Sequence, residues 1–185
     1  MMGNKTYQSA VVVIPPREVW PPIQQIRQNH DRHFRRWMPH ITLLYPFRPA
    51  AAFESAGRHI SAVCSEIRSF EIKLNKFGYF RHRKKNLTIF LEPEPPDPLI
   101  DLQGRLLGAF PDCNDVNLKG QGFVPHLSVG QSGERLDSNG LLASLGENWE
   151  PIFFPVNGIY LIRRNDPPDD VFRVEKFFPF GQNKR

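Results

Sequence analysis

A five-residue pattern occurs twice in this chain of 185 residues, once in each half. Pro39-His40-Ile41-Thr42-Leu43 and Pro125-His126-Leu127-Ser128-Val129 both read proline, histidine, aliphatic, hydroxyl residue, aliphatic. Their β-branched and aliphatic content favours strands. On a strand, residues two apart share a face, so His40 projects with Thr42 and His126 with Ser128. Ile41, Leu43, Leu127 and Val129 then turn the other way, into a core. Two such strands side by side bring two imidazoles and two hydroxyls into one pocket, a set suited to acid–base chemistry on a phosphate ester.

Hydrophobic residues make up 40% of the chain and aromatics 12%, with 15 Phe. This supports a sizeable core, in one domain or two tightly joined lobes, and argues against wholesale disorder. A net charge of +5 and a pI of about 9.4 favour an anionic partner such as a nucleotide or RNA. Cys64 and Cys113 have neither CxxC spacing nor a neighbouring histidine cluster, so no zinc site or disulfide framework is expected. Cys64 reads as a buried small hydrophobe. No apolar run reaches the length of a membrane span. Residues 1–7 show neither a signal-peptide core nor a myristoylation pattern. The expectation is a soluble, cytoplasmic monomer.

Along the chain, Ser9 to Ile14 reads as a buried strand and Arg17 to Asn29 as a short helix with Pro21 and Pro22 near its first turn. The first motif strand runs from His40 to Phe47. Ala50 to Ile67 has helical spacing, and Phe70 to Phe80 with Leu87 to Leu91 form a hairpin with a basic tip. Glu92 to Pro98 is proline-rich and is the expected connector between two lobes. A helix follows over Leu99 to Phe110, then the second motif strand from His126 to Gln131 and a helix over Glu134 to Leu145. Ile152 to Ile162 and Val171 to Phe178 read as a final strand pair. The repeating order of elements suggests diverged halves and places the chain in the α+β or mixed α/β class, with mainly antiparallel sheets.

Paired His-x-Thr/Ser elements on strands, His40-Ile41-Thr42 and His126-Leu127-Ser128, resemble those of the 2H phosphoesterase superfamily, which includes 2′-5′ RNA ligase and 2′,3′-cyclic phosphodiesterase proteins. In element order the resemblance extends from about Tyr7 to Phe178. It implies a bilobal α+β fold in which antiparallel sheets line a central cleft, with helices outside and one motif strand from each lobe near a pseudo-twofold axis. Ser128 departs from the threonine of the first copy but keeps a hydroxyl donor. The implied activity is opening of a 2′,3′-cyclic phosphate on RNA or a nucleotide, to a 2′-phosphate, with 2′-5′ ligation in the reverse sense. Histidine titrates near neutrality, so one imidazole can be base and the other acid. Either histidine can take either part; His126 is taken here as base and His40 as acid, an order expected to reverse for ligation. Thr42 and Ser128 would hydrogen-bond the non-bridging oxygens. No cofactor and no metal are expected, since no carboxylate cluster is present to hold an ion.

Further contacts to RNA or nucleotide are expected from the hairpin tip, at Arg81 and Arg83, and from Arg36 before the first motif. Tyr79 and Phe80 are the expected cleft-rim aromatics for base stacking. Tyr45 and Phe47 fall on the strand face opposite His40 and read as core. His30, His33, His59 and His82 read as solvated polar residues. Three other functions share these features: a phosphodiesterase for 2′-5′ oligoadenylate or RNA 3′ ends, a small-molecule cyclic phosphodiesterase, and a non-catalytic RNA- or nucleotide-binding module.

Overall fold

The computed structural model describes residues 4–82, 86–117, 122–132 and 138–181. β1 (Ser9–Val13) is buried at all five positions, as its unbroken apolar run predicts. A 3-10 turn at Arg17–Val19 leads into α1 (Trp20–His30), whose first turn holds Pro21 and Pro22, where the missing amide hydrogens cost no helical bond. β2 (Ile41–Leu44) carries the first motif and α2 (Phe53–Ser65) follows. β3 (Phe70–Arg81) and β4 (Leu87–Glu94) form the long hairpin. α3 (Asp97–Ala109) buries Leu99, Leu102, Gln103 and Leu106, the stripe of a helix with one covered face. β5 (Leu127–Ser132) carries the second motif, and α4 (Ser138–Glu147), β6 (Ile152–Val156), β7 (Gly158–Arg163) and β8 (Arg173–Pro179) complete the chain. No helix among the described residues is long and apolar enough to cross a membrane.

The class is α+β, but the expected pair of sheets is a single one. All eight strands join one antiparallel sheet in the order β6-β3-β4-β5-β2-β1-β7-β8. Its centre is the β2–β5 pair, where Ile41 and Leu127 are direct partners. The motif strands therefore fuse the two halves edge to edge, and each is the innermost strand of its four. One half, β2-β1-β7-β8, takes strands from both ends of the chain; the other is β5-β4-β3-β6. Residues 92–98, expected as the connector, form the end of β4 and the start of α3, with Pro96 as the helix N-cap. The prolines there end a strand and begin a helix.

Ile152 to Ile162, expected as one strand, is broken at Asn157. β6 pairs with β3 at one end of the sheet, and β7 pairs with β1 and β8 near the other. Consecutive Cα atoms lie about 3.8 Å apart, so the sheet must curl until its two ends meet there. The Asn157 carbonyl accepts the Phe180 N–H at 2.8 Å, and the Phe180 ring stacks on Phe70 of β3.

The helices lie on one face of the sheet. Ile41, Leu43, Leu127 and Val129, the aliphatic positions of both motifs, pack there with Ile23 of α1, Ile60 and Cys64 of α2 and Leu106 of α3. Cys64 is fully buried, as expected, and burial pushes its thiol up to about 12. The other face is open and bears the motif hydroxyls and histidines.

A β-bulge interrupts each motif strand at the same place. Val12 pairs with Thr42 but Val11 with Leu44, so Leu43 is the extra residue; Phe90 pairs with Ser128 but Ile89 with Gly130, so Val129 is the extra residue. A bulge shifts the alternation by one. Leu44 therefore joins Leu43 in the core, and Tyr45 turns to the open face.

Helix α1 crosses directly behind β5. A Cβ on Gly130 would lie 2.7 Å from the Cβ of His30 and 3.2 Å from its carbonyl oxygen. Gly130→Ala is expected to cost about 1–3 kcal/mol through overpacking. Urea denaturation reads this as a lower midpoint with an unchanged slope; an unchanged midpoint would show that α1 yields to the extra methyl.

Candidate active site

The antiparallel register at the seam, with Ile41 opposite Leu127, sets Thr42 across from His126 and His40 across from Ser128. Each histidine thus stands beside the hydroxyl of the other strand. Thr42, His126 and Ser128 line a cavity of about 390 Å³, whose wall also includes Tyr45, Phe80, His82, Thr88, Asp115 and Val124. This size falls within the range of small-molecule sites. His40 lies across the seam from Ser128, on the side of Trp37.

The two imidazoles are held in the same way. His40 Nδ1 lies 2.7 Å from the Met38 carbonyl oxygen, and His126 Nδ1 lies 2.8 Å from that of Val124. A carbonyl only accepts, so Nδ1 carries the hydrogen in both rings. Nε2 is then the nitrogen that bears the lone pair when the ring is neutral. The buried prolines Pro39 and Pro125 separate each histidine from the residue whose carbonyl orients it.

The surroundings of the two rings differ. His40 stacks on the indole of Trp37, with centroids 4.7 Å apart and planes at 16°, and Trp37 in turn stacks on Phe172 at 3.7 Å. Burial pushes the His40 imidazole down to about 4, and the charges of Arg27 and His126 act in the same direction. His126 meets the ring of Phe80 edge-on at 4.8 Å and lies beside Phe90. Phe90 packs over Gly78, where a Cβ would come within 2.7 Å of its ring, so glycine at that position makes room for the aromatic wall behind His126.

The remaining expected contacts divide. Phe80 lines the cavity. The expectation that Tyr79 borders the cleft does not hold: Tyr79 pairs with Ile89, a core residue, so it points to the helix-covered face. Arg81 shares that face by alternation and lies over the Tyr79 ring. Arg83 lies outside the described residues. Arg36 forms an ion pair with Asp170 away from the cavity wall. Tyr45, expected in the core, is in the cavity wall because of the bulge at Leu43, whereas Phe47 is fully buried as expected. His82 also lines the cavity, with Nε2 2.9 Å from Thr88 Oγ1.

Asp115 and Trp37 were not anticipated. Asp115 reaches the cavity from a short 3-10 turn and pairs with Lys5 at 2.5 Å. Its loop is tied to the end of the first motif segment by the two-bonded Arg48–Asp112 pair, at 2.5 and 2.6 Å. Trp37 had a signal in the sequence: an aromatic residue precedes each motif histidine by three positions, Trp37 in one copy and Phe123 in the other. Among the described residues, no group of three His, Cys, Asp or Glu side chains is placed to hold a metal ion.

A single antiparallel sheet with two facing histidine–hydroxyl strands at its centre and helices behind defines a duplicated two-histidine architecture. The chain belongs to the 2′-5′ RNA ligase superfamily, whose sequence profile matches residues 15–168. A Geobacillus kaustophilus protein with a provisional phosphoesterase name is 29% identical over 123 residues, 65% of this chain and 67% of the relative. Among solved structures, TT0787 of Thermus thermophilus matches with a TM-score of 0.64 at 20% identity, covering 95% of this chain and 99% of that one. LigT of E. coli matches with a TM-score of 0.61 at 16% identity, covering 97% and 100%. At these identities the structural likenesses show the shared fold.

Proposed function

We propose that this chain hydrolyses 2′,3′-cyclic phosphates at the ends of RNA or of nucleotides, by two-histidine acid–base catalysis in which no metal ion takes part. The observation that carries this reading is the crossed seam, where each imidazole stands beside the opposite strand's hydroxyl and has Nε2 as its titrating nitrogen. Structures of the E. coli neighbour LigT hold phosphate and 3′-AMP, ligands of the same chemical kind. Water attacks phosphorus as one histidine takes its proton. The bond from phosphorus to O3′ breaks, and the other histidine protonates O3′, leaving a 2′-phosphate. Thr42 and Ser128 donate to the non-bridging oxygens. With the 5′-hydroxyl of a second strand in place of water, the same steps in the same sense form a 2′-5′ linkage, so the roles do not reverse for ligation, contrary to the expectation from sequence.

Burial favours the reverse of the order expected from sequence, with His40 as base and His126 as acid. An imidazole held near 4 is neutral at pH 7 and so is in the form a base needs. A proton on His126 further disfavours one on His40, which favours the state with His126 as acid. With His40 as base, its neutral form is lost only as pH nears about 4, so the acid limb of kcat/KM, about tenfold per unit, lies below about 4. The one-proton state of the pair gives the same pH profile whichever histidine holds the proton, so the leaving group separates the roles: with sulfur in place of O3′, which departs without an acid, activity should return to His126→Ala and not to His40→Ala.

The direct test is hydrolysis of 2′,3′-cyclic nucleotides and of a short RNA ending in a cyclic phosphate, with EDTA present and products identified by phosphorus NMR. Turnover to a 2′-phosphate supports the reading. A folded protein that turns over neither substrate, or only after a metal is restored, overturns it.

A further inference from the structure

A second cavity opens beside the seam, on the open face of the β2-β1-β7-β8 half. Its volume is about 500 Å³. Trp20, Trp37, Tyr160 and Phe172 line it, and Arg17, Arg35 and Arg173 stand around them. None of its lining residues belongs to the catalytic cavity. The two sites are nonetheless joined, because Trp37 lines one and stacks on His40, which stands across the seam from Ser128 in the wall of the other.

The composition of this pocket is that of a base-stacking site with a phosphate at its mouth. Flat aromatic faces accept any nucleobase, and arginine offers the charge and forked donors that a phosphodiester needs. Tyr160 pairs with Val12 in the sheet and packs on Phe177 at 4.8 Å, which fixes the floor. The guanidinium of Arg17 lies 5.4 Å from the ring centre of Trp20, whose indole N–H is fixed on the Pro15 carbonyl at 2.8 Å. Asp169 offsets Arg173 through a 2.8 Å ion pair. Arg17 and Arg35 have no carboxylate partner among the described residues, so their charge is available to an anion. A lone cyclic nucleotide bound in the catalytic cavity would have nothing to place in the second one.

We infer that this pocket binds the nucleotide preceding the cyclic phosphate, so that the substrate is an oligonucleotide end rather than a mononucleotide. The inference rests on the proposed cyclic phosphodiesterase reading and names the substrate class for it. The penultimate base stacks against Trp20 and Tyr160, beside the edge of Trp37, and the connecting phosphodiester meets Arg17 and Arg35.

The test compares a 2′,3′-cyclic mononucleotide with a dinucleotide carrying the same cyclic end, using wild type, Trp20→Leu and the surface double variant Arg17→Ala/Arg35→Ala. Wild type is expected to favour the dinucleotide at least tenfold in kcat/KM. Both variants are expected to bring that ratio close to one. The arginine double variant is also expected to flatten the salt dependence of dinucleotide kcat/KM, by a slope of about 0.7 for each phosphate it no longer neutralises. Equal kcat/KM on the two substrates in wild type, or a preference that both variants retain, overturns the inference while leaving the cyclic phosphodiesterase reading intact. If neither substrate turns over, that reading falls, and the pocket is judged by binding alone. Tryptophan fluorescence with a dinucleotide 3′-phosphate then shows either tighter binding to wild type than to the arginine variant, which supports it, or no difference, which overturns it.

Discussion

His40→Ala and His126→Ala are each expected to lower kcat on a 2′,3′-cyclic nucleotide by about 10²- to 10⁴-fold, the range for removing one positioned acid or base. Both losses should appear mainly in kcat, because proton transfer is needed in the transition state and contributes little to ground-state binding. The double variant should be little worse than either single one, since an acid without its base completes no cycle. Thr42→Ala and Ser128→Ala remove donors to the phosphate, and each should cost about 10²- to 10³-fold. His40 sits against Trp37 and is partly buried, so its loss also opens a gap in packing. Thermal melts run beside the kinetics separate that effect from chemistry. His40→Asn, which leaves a planar polar group of similar size, should lose the same activity. Retention of full activity by either histidine variant would remove the seam from the mechanism.

The motif histidines were legible in the sequence because their chemistry needs only a two-residue period, which a strand supplies locally. What came before and after them was harder to read. A bulge changes the face of every later residue, so Tyr45 could not be placed by counting from His40. Leu43-Leu44 in one copy and Val129-Gly130 in the other were the visible traces, one a doubled aliphatic and the other a glycine inside a strand. Tyr79 failed as a rim residue for the simpler reason that it alternates with Phe80. The single sheet, the break at Asn157 and the reach of Asp115 into the cavity all depend on pairings between distant segments, which local pattern does not encode. The prolines at 92–98 show the same limit, since proline near the end of a strand, at a helix N-cap and in a linker looks alike in sequence.

Arg27→Met is expected to destabilise the protein by about 3–5 kcal/mol, the cost of breaking a buried ion pair from one side. The Arg27 guanidinium in α1 lies 2.8 Å from Asp31, with both side chains almost fully buried. It also donates to the Gln24 amide oxygen and to the Trp37 carbonyl, each at 2.8 Å. Asp31 in turn accepts the His33 N–H at 2.8 Å. One cation therefore fixes the segment that runs from the end of α1 to the indole against which His40 packs. Losing it leaves the Asp31 carboxylate buried and unpaired. Arg27→Met with Asp31→Leu should recover much of the stability, because removing both charges also removes their desolvation cost. Catalysis gives a second readout that packing alone would not move. Burial is the main cause of the low His40 pKa, and the Arg27 charge adds to it. Without that charge His40 gains a proton more readily; the loss of Asp31 acts the other way but more weakly, so the acid limb of kcat/KM in the double variant should move to higher pH than in wild type. Recovery of stability with an unmoved acid limb would confine Arg27 to holding the loop; recovery with a raised one would show that it also keeps His40 neutral.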